Sequence, residues 1–265
     1  MDLEISYKLT VGKNADNKYK LKLKYENKIK GLDIAIANTS KKLEILNKNI
    51  DSKTENIKFR KLENISKEWY EKFRWFFTFN NSLVIGGKDS KNNEVVVKKH
   101  LDDNDLYFHA DINGAPHMVL KNPQTLDLEE RKECAIFAAS YSSAWKSKIF
   151  SLDVYSVKSD QVSKTANPGE SLGKGAFVIR GKREYFRNVD VKLAIGYNAI
   201  LKKIVCGPVK SIEKSCDTFY VIIPGDTKKS DVAKILKTKF ENKEISVRLD
   251  NLIAILPSGD TNIVK

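Results

Sequence analysis

The chain has 265 residues, enough for one large or two modest domains with a real hydrophobic core. Its 47 Lys and Arg against 34 Asp and Glu leave +13, with a pI near 9.4. An excess of this size favours polyanionic partners, because phosphates release counterions on binding, although a Lys-rich genome bias gives the same count. Three widely spaced cysteines, Cys134, Cys206 and Cys216, offer neither a C-x-x-C metal pair nor a disulfide framework. With no 18-residue apolar run and no apolar leader, a membrane span and an export signal are excluded, and a soluble, cytoplasmic protein is expected.

Residues 1–15 alternate apolar and polar from Leu3 to Tyr7 and break at Gly12. They read as a strand and turn, the terminal strand of a domain outside this chain. From about Asp16 the period changes. Tyr25, Ile29, Leu32, Ile36, Thr39, Leu43, Leu46, Ile50, Lys53 and Ile57 are spaced alternately by four and three, a heptad seam that needs another helix to bury it. The spacing predicts a basic coiled-coil arm over 16–68, with a reversal at 47–52 into a second helix running to about Phe77. An ordinary amphipathic helix packed on its own domain is the competing reading.

After Trp75 the pattern turns mixed. A hairpin is predicted from 76–80 and 83–85 around an Asn-rich turn, then a short helix at 94–101 and strands at 105–110 and 117–121. One long helix is expected over 128–146, with Cys134, Phe137, Ala138, Tyr141 and Trp145 on one face. Strands follow at 152–157, 176–179 and 193–197. Gly207-Pro208 reads as punctuation before a small αβ subdomain over 204–265, with a strand at 219–224 and a helix at 229–241 capped from Asp226, Thr227 or Ser230. The fold class expected is α+β.

The run 158–187 carries seven basic residues, several glycines and the aromatics Phe177, Tyr185 and Phe186. Glycine lets backbone approach phosphates, cations supply charge, and aromatics beside arginine stack unpaired bases. The competing reading is a solvated loop followed by a core strand. His109 and Asp111 at a strand end, near Asp102, Asp103, Asp105 and His117, suggest a metal or acid–base cluster, hence a metal-dependent RNA-processing enzyme as the alternative function. Their spacing fits no ligand signature, and 102–105 reads more simply as a solvated turn. Ser142 and Ser143 lack a nearby base in the sequence. No cofactor is called for.

WYEKFRWF, LVIGGKDSKNNE, HADINGAPHMVLKN, AASYSSAWKS and QVSKTANPGESLGKGAFVIRGKREYF occur in the order found in the NFACT RNA-binding domain, so the chain resembles the NFACT family over about 69–200. That family includes eukaryotic nuclear export mediator factor, bacterial RqcH and fibronectin-binding protein A homologues. VCGPVKSIEKSCDTFYVIIPGDTKKSDVAKIL and AILPSG resemble the tail of archaeal members. The resemblance implies ribosome-associated quality control: binding tRNA and rRNA on a stalled large subunit and supporting C-terminal tailing of the nascent chain. It also implies that tailing needs an N-terminal NFACT domain, separate or removed, and that the partners are tRNA, large-subunit RNA and either that N-terminal half as a separate chain or a second copy joined through the coil. No catalytic residue is assigned.

Read onto these positions, Trp69, Tyr70, Phe73 and Trp75 seat the arm on a core spanning 69–203. The resemblance places Gln161, Ser163, Lys164, Thr165, Gly169, Lys174, Arg180, Lys182 and Arg183 at an RNA surface, with phosphate contacts given to Lys164, Lys174, Arg180, Lys182 and Arg183. Lys88, Asp89, Asn93, His109, Asp111, Ser142 and Ser143 form a candidate polar site.

Overall fold

The computed structural model describes residues 6–54, 68–123, 127–165, 173 and 175–264, with backbone alone for 44–54. The chain divides into two compact units, Met1–Lys58 and Phe59–Lys265.

In the first unit, helix α1 (Val11–Thr54) runs unbroken for 44 residues, or about 66 Å at the α-helical rise. Its start is held by Asn14, whose amide accepts from Ser6 N at 2.9 Å and donates to Ser6 O at 3.0 Å. Tyr7 therefore lies in a turn and Gly12 inside the helix, where a strand and a break were expected. The reversal at 47–52 is also overturned. That stretch has neither Gly nor Pro, and its Asn, Asp and Ser cost only tenths of a kcal/mol each in a helix, up to about 0.7. The seam residues Ile29, Leu32, Ile36 and Leu43 are more than half exposed.

The second unit begins with a 3-10 turn, Trp69–Lys72, and strand β1 (Arg74–Phe77), where the sequence predicted helix up to Phe77. Phe73 and Phe76, which a helix would place on one face, are both 1% exposed but enter different clusters, Phe73 with Ile85 and Val96 and Phe76 with Phe108 and Phe137. Residues 55–67 lie outside the described residues. β2 (Leu83–Gly86) completes the expected hairpin, with Asn81 at φ 67°, a conformation asparagine tolerates. Helix α2 (Ser90–His100) follows, capped by Asp89, then β3 (Leu106–Ala110) and β4 (Met118–Leu120). Helix α3 (Leu128–Ser140) ends five or six residues early, because Ser142 Oγ donates to Ala139 O at 2.7 Å and accepts from Ala144 N, capping the separate turn α4 (Ser143–Lys146).

β5 (Ser151–Lys158), β6 (Val162–Ser163), β7 (Val178–Ile179) and β8 (Glu184–Asp190) come next. They lead into β9 (Leu193–Asn198), β10 (Lys203–Gly207), α5 (Val209–Ser215) and β11 (Thr218–Pro224). Helices α6 (Lys229–Glu241) and α7 (Leu249–Ile255) and strand β12 (Thr261–Ile263) complete the chain. Strands β8 and β10 and helix α5 had no counterpart in the sequence reading. A six-stranded antiparallel sheet has the order β1-β2-β4-β3-β5-β8, a four-stranded one β10-β9-β11-β12, and β6 pairs with β7 as a ribbon. The fold is α+β, with a long N-terminal helix.

Because β9 pairs with both β10 and β11, sheet pairing runs across position 203. One apolar core holds Phe76, Phe108 and Phe137 together with Val232, Leu236, Phe240 and Leu252. Helix α3 is buried over most of its surface and bonds to elements on both sides. Glu130 Oε1 accepts from Thr78 Oγ1 at 2.6 Å, while Glu133 accepts from Phe79 N at 3.0 Å and from Ser211 Oγ of α5 at 2.5 Å. Burial raises the Glu133 carboxyl above the usual carboxylate range. Further on, Tyr141 Oη donates to Ile255 O and Trp145 Nε1 to Thr261 Oγ1 at 3.0 Å, tying α3 and α4 to the C-terminal elements.

Two local readings are corrected. Helix α6 has Lys228 at its N-cap with no side-chain cap bond; Asp226 pairs with Lys148, and Thr227 Oγ1 donates to Asn262 Oδ1. The turn at 102–105 forms, with Asp105 N donating to Asp102 O at 3.0 Å, but the Asp105 side chain is buried and holds Lys121 and the backbone N–H groups of Asp102 and Asn122.

Leu236 is fully buried in the shared core. Leu236→Ala is expected to cost about 2–5 kcal/mol and to lower one cooperative transition of the second unit. Urea unfolding followed by tryptophan fluorescence checks this, since the Trp residues lie outside 204–265; an unshifted fluorescence transition would mean that 204–265 unfolds on its own.

Candidate nucleic-acid interface

Alternation along β3 sends Phe108 and Ala110 into the core beneath α3 and leaves Tyr107 and His109 on the other face. Register then builds a row. His109 stands opposite Tyr155 of β5, and Tyr155 opposite Tyr185 of β8. Ring centroids are 5.8 Å apart for the first pair and 6.0 Å for the second. Arg183 and Arg187 flank Tyr185 at period two, so they share its face. The Arg183 guanidinium lies 4.5 Å from the Tyr155 centroid, and that of Arg187 lies 4.3 Å from the Tyr185 centroid. Asp153 holds Arg187 in place and accepts from Asn188 N. Phe186, grouped with the RNA-facing aromatics by sequence, is buried in the core.

The β6–β7 ribbon borders this row. Gln161 fastens it: Oε1 accepts from Lys158 N, and Nε2 donates to Arg180 O at 2.8 Å and Lys182 O at 3.0 Å. Gly181 between them has φ 76°, and a Cβ there would come within 2.8 Å of Gln161 Nε2. The side chains of Arg180 and Lys182 are exposed beside the fastened backbone, with Arg180 reaching Thr165 O at 3.4 Å. Ser163 Oγ accepts from Thr165 N. Lys164 turns inward, donating to Ala176 O at 3.0 Å and lying 4.9 Å from the Phe177 ring centroid. Gly169 and Lys174 lie outside the described residues.

His117 joins the ribbon to the sheet. Its Nε2 is 2.8 Å from Gly175 O, a group that only accepts, so Nε2 carries the proton. Nδ1 is therefore the acceptor for the Tyr107 hydroxyl. Burial, followed by the neighbouring His109, lowers the His117 pKa to about 4, which keeps this tautomer neutral. Gly175 has φ 79°, and a Cβ there would sit 2.8 Å from Ser90 O, so no other residue fits the turn. His109, whose pKa is also lowered by burial, has its ring centroid 5.0 Å from that of His117, the two planes tilted at 44°.

The candidate polar residues split up. Asn93 Oδ1 accepts from His117 N at 3.1 Å and so supports the clamp. Asp89 caps α2, and Lys88 reaches Glu71 O at 3.2 Å. Ser142 caps α4, and Ser143 Oγ donates to Asn113 O at 2.6 Å. Asp111 is exposed just past β3. Among the described residues, no group of three or more His, Cys, Asp or Glu side chains is gathered to hold a metal ion. The aromatics Trp69, Tyr70, Phe73 and Trp75 pack within the second unit, with Trp69 stacked on His100 at 4.7 Å and Tyr70 meeting Trp75 at 4.9 Å.

Sequence reasoning missed Tyr155 and Arg187. The period-two series Arg183, Tyr185, Arg187 was a usable signal once 184–190 is taken as a strand. Tyr155 had none, since only register brings it between His109 and Tyr185.

The scaffold is an α+β fold with an aromatic and arginine-bearing sheet face, and residues 72–181 match the family described as NFACT protein RNA binding domain. The chain is 42% identical over 203 residues to the archaeal Rqc2 homolog aRqcH of Methanocaldococcus jannaschii, covering 75% of this chain and 30% of that protein. It is 36% identical over 172 residues to ribosome quality control complex subunit NEMF of Homo sapiens, covering 64% of this chain and 15% of NEMF. The C-terminal part of the fibronectin/fibrinogen-binding protein from Streptococcus suis aligns at TM-score 0.39 and 22% identity, over 69% of this chain and 77% of that one. Over this part of its length the chain belongs to the NFACT family. It spans less than a third of the curated relatives it matches.

The clamp gives stability a definite pH dependence. An unfolded His117 takes up a proton near pH 6.5, whereas the folded one refuses it until about 4. Its contribution is therefore full above pH 6.5 and is lost as pH falls to 4, about 3 kcal/mol in all. Urea unfolding across this window is expected to show a slope that flattens in His117→Gln; an equal slope in both proteins would contradict the clamp.

Proposed function

We propose that this chain is an RNA-binding component of ribosome-associated quality control, attaching to tRNA and to rRNA of stalled large subunits. The observation that carries the reading is the aromatic row of β3, β5 and β8 with Arg183 and Arg187 laid on it; β3 and β5 lie within residues 72–181, which match an RNA-binding domain, and β8 follows directly after them. The names of the relatives, each a ribosome quality control factor or its homolog, support the setting. The net charge of +13 supports a polyanionic partner. Binding rather than catalysis is the proposed role, and C-terminal tailing of nascent chains is assigned to joint action with an N-terminal NFACT domain. The exposed seam of α1 suits a coiled coil, either with a chain carrying that domain or with a second copy. A cytoplasmic location follows from this role, and no helix among the described residues is long and apolar enough to cross a membrane.

Phosphate contact is assigned to Arg180 and Lys182, and Arg183, over the Tyr155 ring, adds charge beside them. Gln161 bonds the backbone carbonyls of residues 180 and 182, so alanine substitution leaves the ribbon fastened. The Arg180→Ala/Lys182→Ala/Arg183→Ala variant is expected to bind tRNA at least about tenfold more weakly and to show a shallower salt dependence, by about 0.7–0.9 for each phosphate no longer neutralised. Fluorescence anisotropy titrations over a salt series measure both. Unchanged affinity and slope would remove the site from this face.

A further inference from the structure

The outward face of the β3–β5–β8 sheet mixes charge in a way that a pure phosphate site would not. Arg183 and Arg187 lie over tyrosine rings, their guanidinium carbons 4.5 and 4.3 Å from the ring centroids, instead of projecting as free cations. Two carboxylates share their surroundings: Asp153 bonds Arg187 directly, and the Asp111 charge raises the Arg183 and Arg187 pKa values as a minor contributor, behind their side-chain hydrogen bonds. A phosphate arriving here would meet those carboxylates, whereas a neutral base would not. Tyr155 is 6% exposed beneath Arg183, but Tyr185, next in the row, is 37% exposed. Arg180 and Lys182, on the adjoining ribbon, are exposed, and neither has an acidic partner among the described residues. Cations for the backbone and flat surfaces for bases are thus set side by side.

We propose that Tyr185, with the guanidinium planes of Arg187 and Arg183, is a stacking platform for unpaired bases, so that the chain takes single-stranded RNA segments in preference to duplex. This rests on the RNA-binding reading above and adds to it the kind of RNA segment recognised. A base in a duplex has both π-faces occupied by its neighbours, and only an unpaired or terminal base can lie on the ring or on a guanidinium plane. The backbone of such a segment runs over Arg180 and Lys182, away from Asp111 and Asp153.

The test uses the full chain, a short single-stranded RNA carrying 2-aminopurine, and the blunt duplex of the same strand, with anisotropy for affinity and 2-aminopurine fluorescence for stacking. Single-stranded RNA is expected to bind more tightly and to change the probe's fluorescence on binding. Tyr185→Ala is expected to weaken single-strand binding about tenfold, leave duplex binding unchanged, and abolish the fluorescence change. Tyr185→Phe keeps all three properties. Arg187→Lys, which retains the charge but not the plane, is expected to reduce single-strand preference and serves if Tyr185→Ala does not fold. Equal affinity for the two RNAs, or single-strand binding unaffected by Tyr185→Ala and Arg187→Lys, overturns the platform while leaving general RNA binding intact. Failure to bind either RNA at low salt overturns the RNA reading itself, and the platform with it.

Discussion

The second unit depends on one helix being buried on nearly every side. Helix α3 lies against the six-stranded sheet through Phe137 and its alanines, and the same core continues to α6 and α7. A helix in that position brings its polar side chains inside with it, and Glu130 and Glu133 are accordingly buried. Buried carboxylates are costly unless bonded. Their partners, Thr78, Phe79 N and Ser211, come from the loop after β1 and from α5. The cost of burying these groups is thereby turned into a specification of how hairpin, helix and C-terminal elements fit together.

With α3 covering one face of the sheet, the other face carries a second, smaller cluster around Tyr107 and Tyr155. Alternation assigns Tyr107, His109, Tyr155 and Tyr185 to that face, and the ribbon partly covers it. A neutral imidazole ties the cover to the sheet, alongside the Gln161 bonds and the packing of Val162, Phe177 and Ile179. His117 accepts from a tyrosine of the sheet and donates to a carbonyl of the ribbon's turn, and burial keeps it from taking a second proton. The fixed tautomer positions the basic ribbon beside the aromatic row, which joins fold to function.

Much of this was legible in the residues. The hairpin around Asn81, helix α2, strands β3, β5, β9 and β11 and helix α6 follow from periodicity and turn chemistry close to where they were expected. Misreadings arose where a local signal met a tertiary demand. Ser142 broke an apparently continuous helix, and Phe73 and Phe76 entered different clusters where a helix would have put them on one face. Asp105 closes its turn but buries its side chain to hold Lys121. At the site, basic residues at 180–183 stood out in the sequence, but the inward turn of Lys164 did not.

The sequence alone determined the class of the protein and its lineage. Charge, the heptad seam and five ordered motifs are one-dimensional properties, readable without knowing what touches what. Tertiary structure decided which of the candidate residues share a face and which are buried or bonded elsewhere. Whether a histidine is a ligand, a clamp or part of a stacking row depends on the partners of its two ring nitrogens and on the strand opposite. Register and burial set those, and residues as far apart as Tyr107, His117 and Gly175 meet only after the sheet has formed.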